Sequence, residues 1–109
     1  DIYENQNTTT ALIRMFVNHY KLIEKILLLT NSGDNILRVV DDLRPPIFFK
    51  KKEFIISQCK LWNLKLINII LLRLIDLELK CKLNNFSEKI IMSQFILLIS
   101  TLAKNRIKT

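Results

Sequence analysis

The fold of this 109-residue chain is decided around one stretch, Arg44-Pro45-Pro46-Ile47-Phe48-Phe49-Lys50-Lys51-Lys52-Glu53-Phe54. Two adjacent prolines cannot continue a helix, because they lack backbone donors and their rings clash with the preceding turn. The stretch therefore predicts a break, followed by a segment that is both basic and aromatic. It holds both prolines and three of the six phenylalanines, and the only tryptophan, Trp62, follows shortly after it. We expect this junction to fasten the two halves of the chain together.

Composition predicts helices on both sides of the junction. Glycine occurs once and proline twice, so the chain has little material for turns. Hydrophobic residues make up 50% of the chain, which is enough for one domain, residues 1–109, with a core of its own. The sequence predicts an all-α fold, a compact bundle of four to five helices. Because the chain starts at Asp1 rather than Met, we expect a fragment of a longer protein or a processed chain.

Apolar residues at three- and four-residue spacing predict a first helix that ends at Asn31. Residues 1–7 are expected to be frayed, with an N-cap among Thr8–Thr10. Gly33 suits the left-handed position after the helix, and Asp34 is expected to cap a short helix that runs from Asn35 to Asp42.

A third helix is expected after the prolines, because Phe48, Ile55, Cys59 and Trp62 share one helical face. Asn63 is a plausible N-cap for a fourth helix that runs to about Lys82. The polar stripe of this helix is narrow, so we expect it to be the most buried of the set. Residues 83–86 predict a turn, after which Ser87 is expected to cap a last helix that ends near Lys104.

The sequence offers no candidate for catalysis, for a metal or for a cofactor. His19 is the only histidine and lies on an apolar helical face, which predicts a packed structural role. Cys59 and Cys81 also lie on apolar faces, without metal-ligand spacing or a positioned base. A single glycine cannot build a phosphate-binding loop. We therefore expect no enzyme activity in this chain, a reducing cytoplasmic location and no membrane segment.

The net charge of +7 is compatible with nucleic acid or with an acidic protein surface. Lys50, Lys51, Lys52 and Lys60 are the candidate contacts to a nucleic-acid backbone, although such a run also occurs as a solvated rim. Sequence-specific reading of DNA is not expected, because the last two helices are too apolar to serve as a recognition helix.

Glu78 and Lys82 project from the otherwise apolar side of the fourth helix at i, i+4 spacing. A carboxylate on such a face needs a partner, which we expect to be Lys82, Arg44 or a helix end. The pair is either an internal anchor for the proline junction or a contact between subunits.

Residues 43–52, followed by Phe54, Gln58 and Leu61-Trp62, resemble the Arg-Pro-Pro-Val/Ile-Phe-Phe-Lys-Arg-Lys segment of bacterial DNA polymerase III delta subunits. Residues 77–82 are similar to the Glu-Leu-Ala-Cys-Lys segment that follows in the same family. The order of the helices also fits, so the resemblance covers nearly the whole chain. One departure is Leu83-Asn84-Asn85, which stands where the family has a Thr-Thr-Gly turn.

This resemblance implies the C-terminal collar domain of a clamp-loader subunit. In that family five subunits pack their collar domains into a ring, and delta itself does not hydrolyse ATP. The implied partners are the other clamp-loader subunits, while DNA and the sliding clamp are reached only through the complete assembly. The structural junction then consists of Arg44, Pro45, Pro46, Phe48, Phe49 and Trp62. Of these, Phe48 and Trp62 are expected in the core. The alternatives are a basic module that grips nucleic-acid backbone, and an enzyme fragment, for which no catalytic residues are found.

Overall fold

Most of the residues that the structure describes lie in helices. The structure is a computed structural model that describes the backbone of residues 2–83 and 88–108 and the side chains of residues 9–83 and 89–106. Within these residues the order is α1 (Ile2–Asn31), α2 (Ile36–Asp42), a 3-10 turn (Phe49–Lys51), α3 (Lys52–Leu61), α4 (Leu64–Lys82) and α5 (Glu88–Lys108). The predicted all-α bundle of four to five helices is confirmed.

Asparagine side chains cap the starts of α2 and α4. Oδ1 of Asn63 accepts a hydrogen bond from the Leu66 amide at 2.9 Å, as the sequence predicts for α4. At the start of α2 the cap is Asn35, whose Oδ1 accepts from the Leu37 amide at 2.8 Å. The α2 cap therefore lies one residue later than the predicted Asp34.

α1 is longer than the sequence predicts. It begins at Ile2, so the N-cap expected among Thr8–Thr10 is wrong, and Thr9 is buried within the helix. Neither proline nor glycine interrupts this segment, and the helix continues through it. At the other end Gly33 has a φ of 102°, which confirms the predicted left-handed residue. The predicted turn after Leu83 and the Ser87 cap lie outside the described residues.

α1 and α4 pack along each other and form the centre of the core. Their facing sides consist of isoleucine and leucine, and the most deeply buried of these are Ile13, Ile23, Ile26, Ile67, Ile70, Leu74 and Leu77. α2 and α3 cover α1, and α5 packs beside α4. Arg106 joins α5 to α3, because its Nε donates to the Leu61 carbonyl at 3.1 Å, at the end of α3.

The domain is longer in one direction than in the others, and one face of α4 is uncovered. It measures 46 × 33 × 22 Å, and the shortest dimension corresponds to about two helix diameters. The radius of gyration is 15.5 Å, against about 13 Å for a sphere-like chain of this length. The expectation that α4 is the most buried helix is wrong, since Leu72, Ile75 and Leu79 are each more than half exposed on the side that α1 and α5 do not cover.

Among the described helices, none is both long enough and apolar enough to cross a bilayer.

Candidate functional site

Arg44 closes the end of α2 at the proline junction. Its Nη1 donates to the Leu43 carbonyl at 2.8 Å and to the Asp41 carbonyl at 3.3 Å. These carbonyls lie at the C-terminus of α2, where the helix itself supplies no further donors. The following Arg44–Pro45 peptide bond is cis, and both Pro45 and Pro46 are exposed. Arg44 thus satisfies carbonyl groups at the end of α2, while the prolines that follow prevent the helix from continuing.

Lys52 ties the two sides of the junction together. Its Nζ lies 2.9 Å from Oδ1 of Asp41, which joins the start of α3 to the end of α2. By its place in the lysine run, Lys52 is predicted to belong to a nucleic-acid or rim contact. Of that group, only Lys50, Lys51 and Lys60 are exposed and without a carboxylate partner among the described residues.

The aromatic residues of the junction divide into one buried ring and three exposed ones. Trp62 is 3% exposed, and its Nε1 donates to Oε1 of Gln58 at 3.1 Å, which confirms its predicted place in the core. The same prediction for Phe48 is wrong, because this ring is 55% exposed. Phe48 precedes the helix in extended backbone, so helical spacing does not carry it to the face of Ile55. Phe49 packs edge-on against Phe48, and Phe54 is also exposed.

His19 lies half-buried within an aromatic cluster. Its ring stacks on Phe54 at 5.9 Å and meets Tyr20 edge-on at 5.0 Å. Burial lowers the pKa of His19 from its ordinary value, and a hydrogen bond with Gln58 partly opposes this shift. No group of three or more metal-ligating side chains occurs among the described residues. The structural role of His19 stays a prediction, and the ring contacts with Tyr20 and Phe54 are consistent with a packed or half-exposed histidine.

Cys59 is buried in α3 and is unsuited to act as a nucleophile. Burial raises the pKa of its thiol to about 11, so the thiolate is scarce at neutral pH. Cys81 is half-buried near the end of α4.

Glu78 finds a partner on another helix. Its Oε1 lies 3.7 Å from Nη1 of Arg14, which joins α4 to α1. The expected pair with Lys82 is absent from the ion pairs of the described residues, and neither Arg44 nor a helix end takes its place. The Glu78 side chain is 19% exposed and lies beside the buried face of α4, where α1 is its nearest neighbour.

An open groove of about 610 Å³ lies beside the proline junction, between α1 and α3. Its lining combines apolar side chains with four cations, Lys25, Arg44, Lys50 and Lys51, and contains no carboxylate. Lys25 lies 19 residues before Arg44 in the sequence and is not predicted to lie near the junction. The three-residue spacing of His19, Leu22 and Lys25 along α1 is the only sequence signal for it.

A row of apolar side chains covers the outer face of α4. Its members recur every three or four residues and fall within about 120° of arc on the helix; they are Ile69, Leu72, Ile75, Leu79 and Leu83. α5 adds Ile90, Ile96 and Leu97, which are also exposed. We call this set of eight residues the outer apolar face. Asp76 lies within the row on α4, and Arg73 and Lys80 line the hollow between α4 and Leu97 of α5, so charged side chains border the apolar ones. Exposed apolar side chains bordered by polar ones are typical of an interaction site.

Comparisons with known protein families, with characterised proteins and with solved structures find no match to this chain.

Proposed function

We propose that this chain is a collar-type assembly domain of a DNA polymerase III delta subunit. In this role it packs against neighbouring clamp-loader subunits and performs no chemistry of its own. The proposal rests on the sequence resemblance around the proline junction and on one structural observation, the outer apolar face of α4 and α5.

The outer apolar face suits lateral packing against other helices. Leu72, Ile75 and Leu79 are each more than half exposed, at 59%, 60% and 55%. Covering the exposed part of each side chain contributes about 1 kcal/mol, and a helical partner has the geometry to do so. The exposed Lys65 and Arg73 lie along the same helix and suit the polar rim of such an interface.

The alternative left by the sequence is a module that grips nucleic-acid backbone through Lys50, Lys51, Lys52 and Lys60. Its basic surface is smaller than the sequence indicates, since Lys52 pairs with Asp41. Lys60 also lies about 14 Å along the helix axis from Lys51. Two neighbouring exposed lysines make a weak electrostatic contact with DNA.

A co-purification experiment tests the proposal. The 109-residue chain, immobilised through a tag, is mixed with the other clamp-loader subunits of the source bacterium, and retained proteins are identified by mass spectrometry. We expect retention of at least one subunit, and loss of that retention in the Leu72→Glu/Leu79→Glu variant. Leu37→Glu is the matched control, because Leu37 on α2 is also 59% exposed but lies outside the outer apolar face.

Circular dichroism establishes that each variant is folded before the comparison. If the folded wild-type chain retains none of the subunits, the proposal is wrong. Salt-sensitive binding of the isolated chain to DNA, with no subunit retained, would support the nucleic-acid alternative instead.

A further inference from the structure

A second hollow of different character lies next to the groove beside the proline junction. The second hollow, of about 320 Å³, is lined by Leu12, Met15, Phe16, Tyr20 and Gln58 together with His19 and Phe54. His19 and Phe54 also line the first groove. Their rings stack at 5.9 Å across the seam between α1 and α3, so the two hollows adjoin on either side of this stacked pair. We call the pair the α1–α3 channel.

The two ends of the α1–α3 channel differ in charge. At the junction end, Lys50 and Lys51 are exposed and have no carboxylate within ion-pair distance among the described residues. Lys25 and Arg44 add two cations there, although they also line a neighbouring hollow that contains Asp34 and Asp42. The far end has no Lys, Arg, Asp or Glu in its lining, and Met15 is 66% exposed there.

We propose that the α1–α3 channel binds an acidic peptide segment of a partner protein, with carboxylates at the junction end and a large apolar side chain at the far end. Charge complementarity selects this occupant, because cations without carboxylates line one end and uncharged side chains line the other. Lys25 and Leu12 lie about 20 Å apart along α1, which corresponds to about six residues of extended peptide.

A single strand of nucleic acid fits the channel less well. The exposed rings of Phe48, Phe49 and Phe54 could stack on bases, but one face of Phe54 already lies against His19. In the far hollow Gln58 is the only amide side chain that could pair with a base edge, and its oxygen already accepts from Trp62. A peptide side chain without polar atoms leaves no such group unsatisfied.

This inference goes beyond the proposed function and does not depend on it, since the channel includes no residue of the outer apolar face. Retention of clamp-loader subunits and peptide binding can each succeed or fail without the other.

Fluorescence anisotropy with the full 109-residue chain tests the inference. The probes are two labelled peptides of about six residues, each with aspartates in one half and leucine and phenylalanine in the other, in both chain orders. Peptides with asparagine in place of aspartate serve as the neutral reference. We expect at least one acidic peptide to bind about tenfold or more tightly than its neutral counterpart, with an affinity that falls as salt is raised.

Two charge-matched variants locate the site. Lys50→Glu/Lys51→Glu is expected to weaken binding of the acidic peptide by about tenfold or more. Lys89→Glu/Lys104→Glu changes the net charge equally, at two exposed positions of α5, and is expected to leave the affinity within about twofold. Met15→Asp, at the far end, is expected to weaken binding of the same peptide while leaving the helical content unchanged.

Three results would overturn the inference. One is that neither acidic peptide binds more tightly than its neutral counterpart. Another is that both double variants weaken binding equally, which indicates a general charge effect. The third is that oligothymidine binds the chain more tightly than both acidic peptides and is displaced by neither, which indicates a nucleic-acid site.

Discussion

Glu78 on α4 and Arg14 on α1 form an ion pair, with Oε1 of the carboxylate 3.7 Å from Nη1 of the guanidinium. The pair bridges the two helices that form the centre of the core. Glu78 is largely covered, whereas the Arg14 side chain is 58% exposed and therefore screened by solvent. The carboxylate accordingly contributes to contacts within the domain, as predicted for an internal anchor. It joins α4 to α1, however, and not to the proline junction.

A double-mutant cycle checks this assignment. Arg14→Ala and Glu78→Ala, singly and together, are expected to give a coupling of about 0.5 kcal/mol in the free energy of unfolding. The parallel cycle of Glu78→Ala with Lys82→Ala is the control and is expected to give a smaller coupling. Urea denaturation followed by circular dichroism measures both. A larger coupling with Lys82 would contradict the assignment.

The Asn63 cap is expected to stabilise α4. Asn63→Ala removes the acceptor for the Leu66 amide and should lower the free energy of unfolding by about 1 kcal/mol. Asn68→Ala makes the same chemical change at an exposed position inside the helix and should alter stability by less than about 0.5 kcal/mol. Thermal and urea denaturation report the difference, and equal effects of the two substitutions would speak against the cap.

Trp62 and Phe48 are expected to differ strongly in their contributions to stability. Trp62→Ala removes a buried ring and its hydrogen bond to Gln58, at a cost of about 3–5 kcal/mol. Phe48→Ala removes an exposed ring and should change the free energy of unfolding by less than about 0.5 kcal/mol. Urea denaturation followed by circular dichroism compares the two. A loss in Phe48→Ala comparable to that in Trp62→Ala would show that the phenylalanine is part of the core after all.

Cys59 is expected to resist alkylation in the folded chain. Because the pKa of its thiol is raised to about 11, only about one thiol in a thousand is ionised at pH 8. Iodoacetamide labelling followed by peptide mass spectrometry should therefore modify the half-buried Cys81 well before Cys59, and both equally fast in urea. Preferential labelling of Cys59 in the folded chain would contradict its burial.

The same thiol makes stability depend on pH in the alkaline range. The thiol loses its proton near its ordinary pKa of 9.0 in the unfolded chain, but only near 11 in the folded chain. Between these values the unfolded chain binds fewer protons, so the free energy of unfolding falls as the pH rises. Cys59→Ala is expected to flatten this slope, and an unchanged slope in that variant would assign the effect to other groups.

Helix content and most helix ends could be predicted from the sequence because they depend on local chemistry. A double proline, one glycine and an asparagine cap act through dihedral limits and hydrogen bonds within a few residues. The helix break at Pro45-Pro46, the left-handed conformation of Gly33 and the cap at Asn63 accordingly match the predictions. The predicted burial of Phe48 is wrong because no local signal tells how far beyond the prolines the next helix begins.

The candidate site depended on contacts between segments distant in the sequence. Lys52 is part of a lysine run in the sequence, but it forms an ion pair with Asp41 because α2 packs against α3. Lys25 reaches the junction only because α1 lies beside α3, and the same packing joins the two hollows of the α1–α3 channel.

The proline junction, the presence of the helices, the Gly33 turn and the Asn63 cap were therefore determined by the sequence itself, since each follows from the conformational limits of neighbouring residues. The polar stripe of α4 already indicates its inner face, because Ile67, Ile70 and Leu74 lie on the opposite side of the helix. The tertiary structure alone decided that Ile69, Leu72, Ile75 and Leu79, beside that stripe, form the outer apolar face. No neighbouring helix among the described residues covers them, and burial depends on which neighbour excludes water.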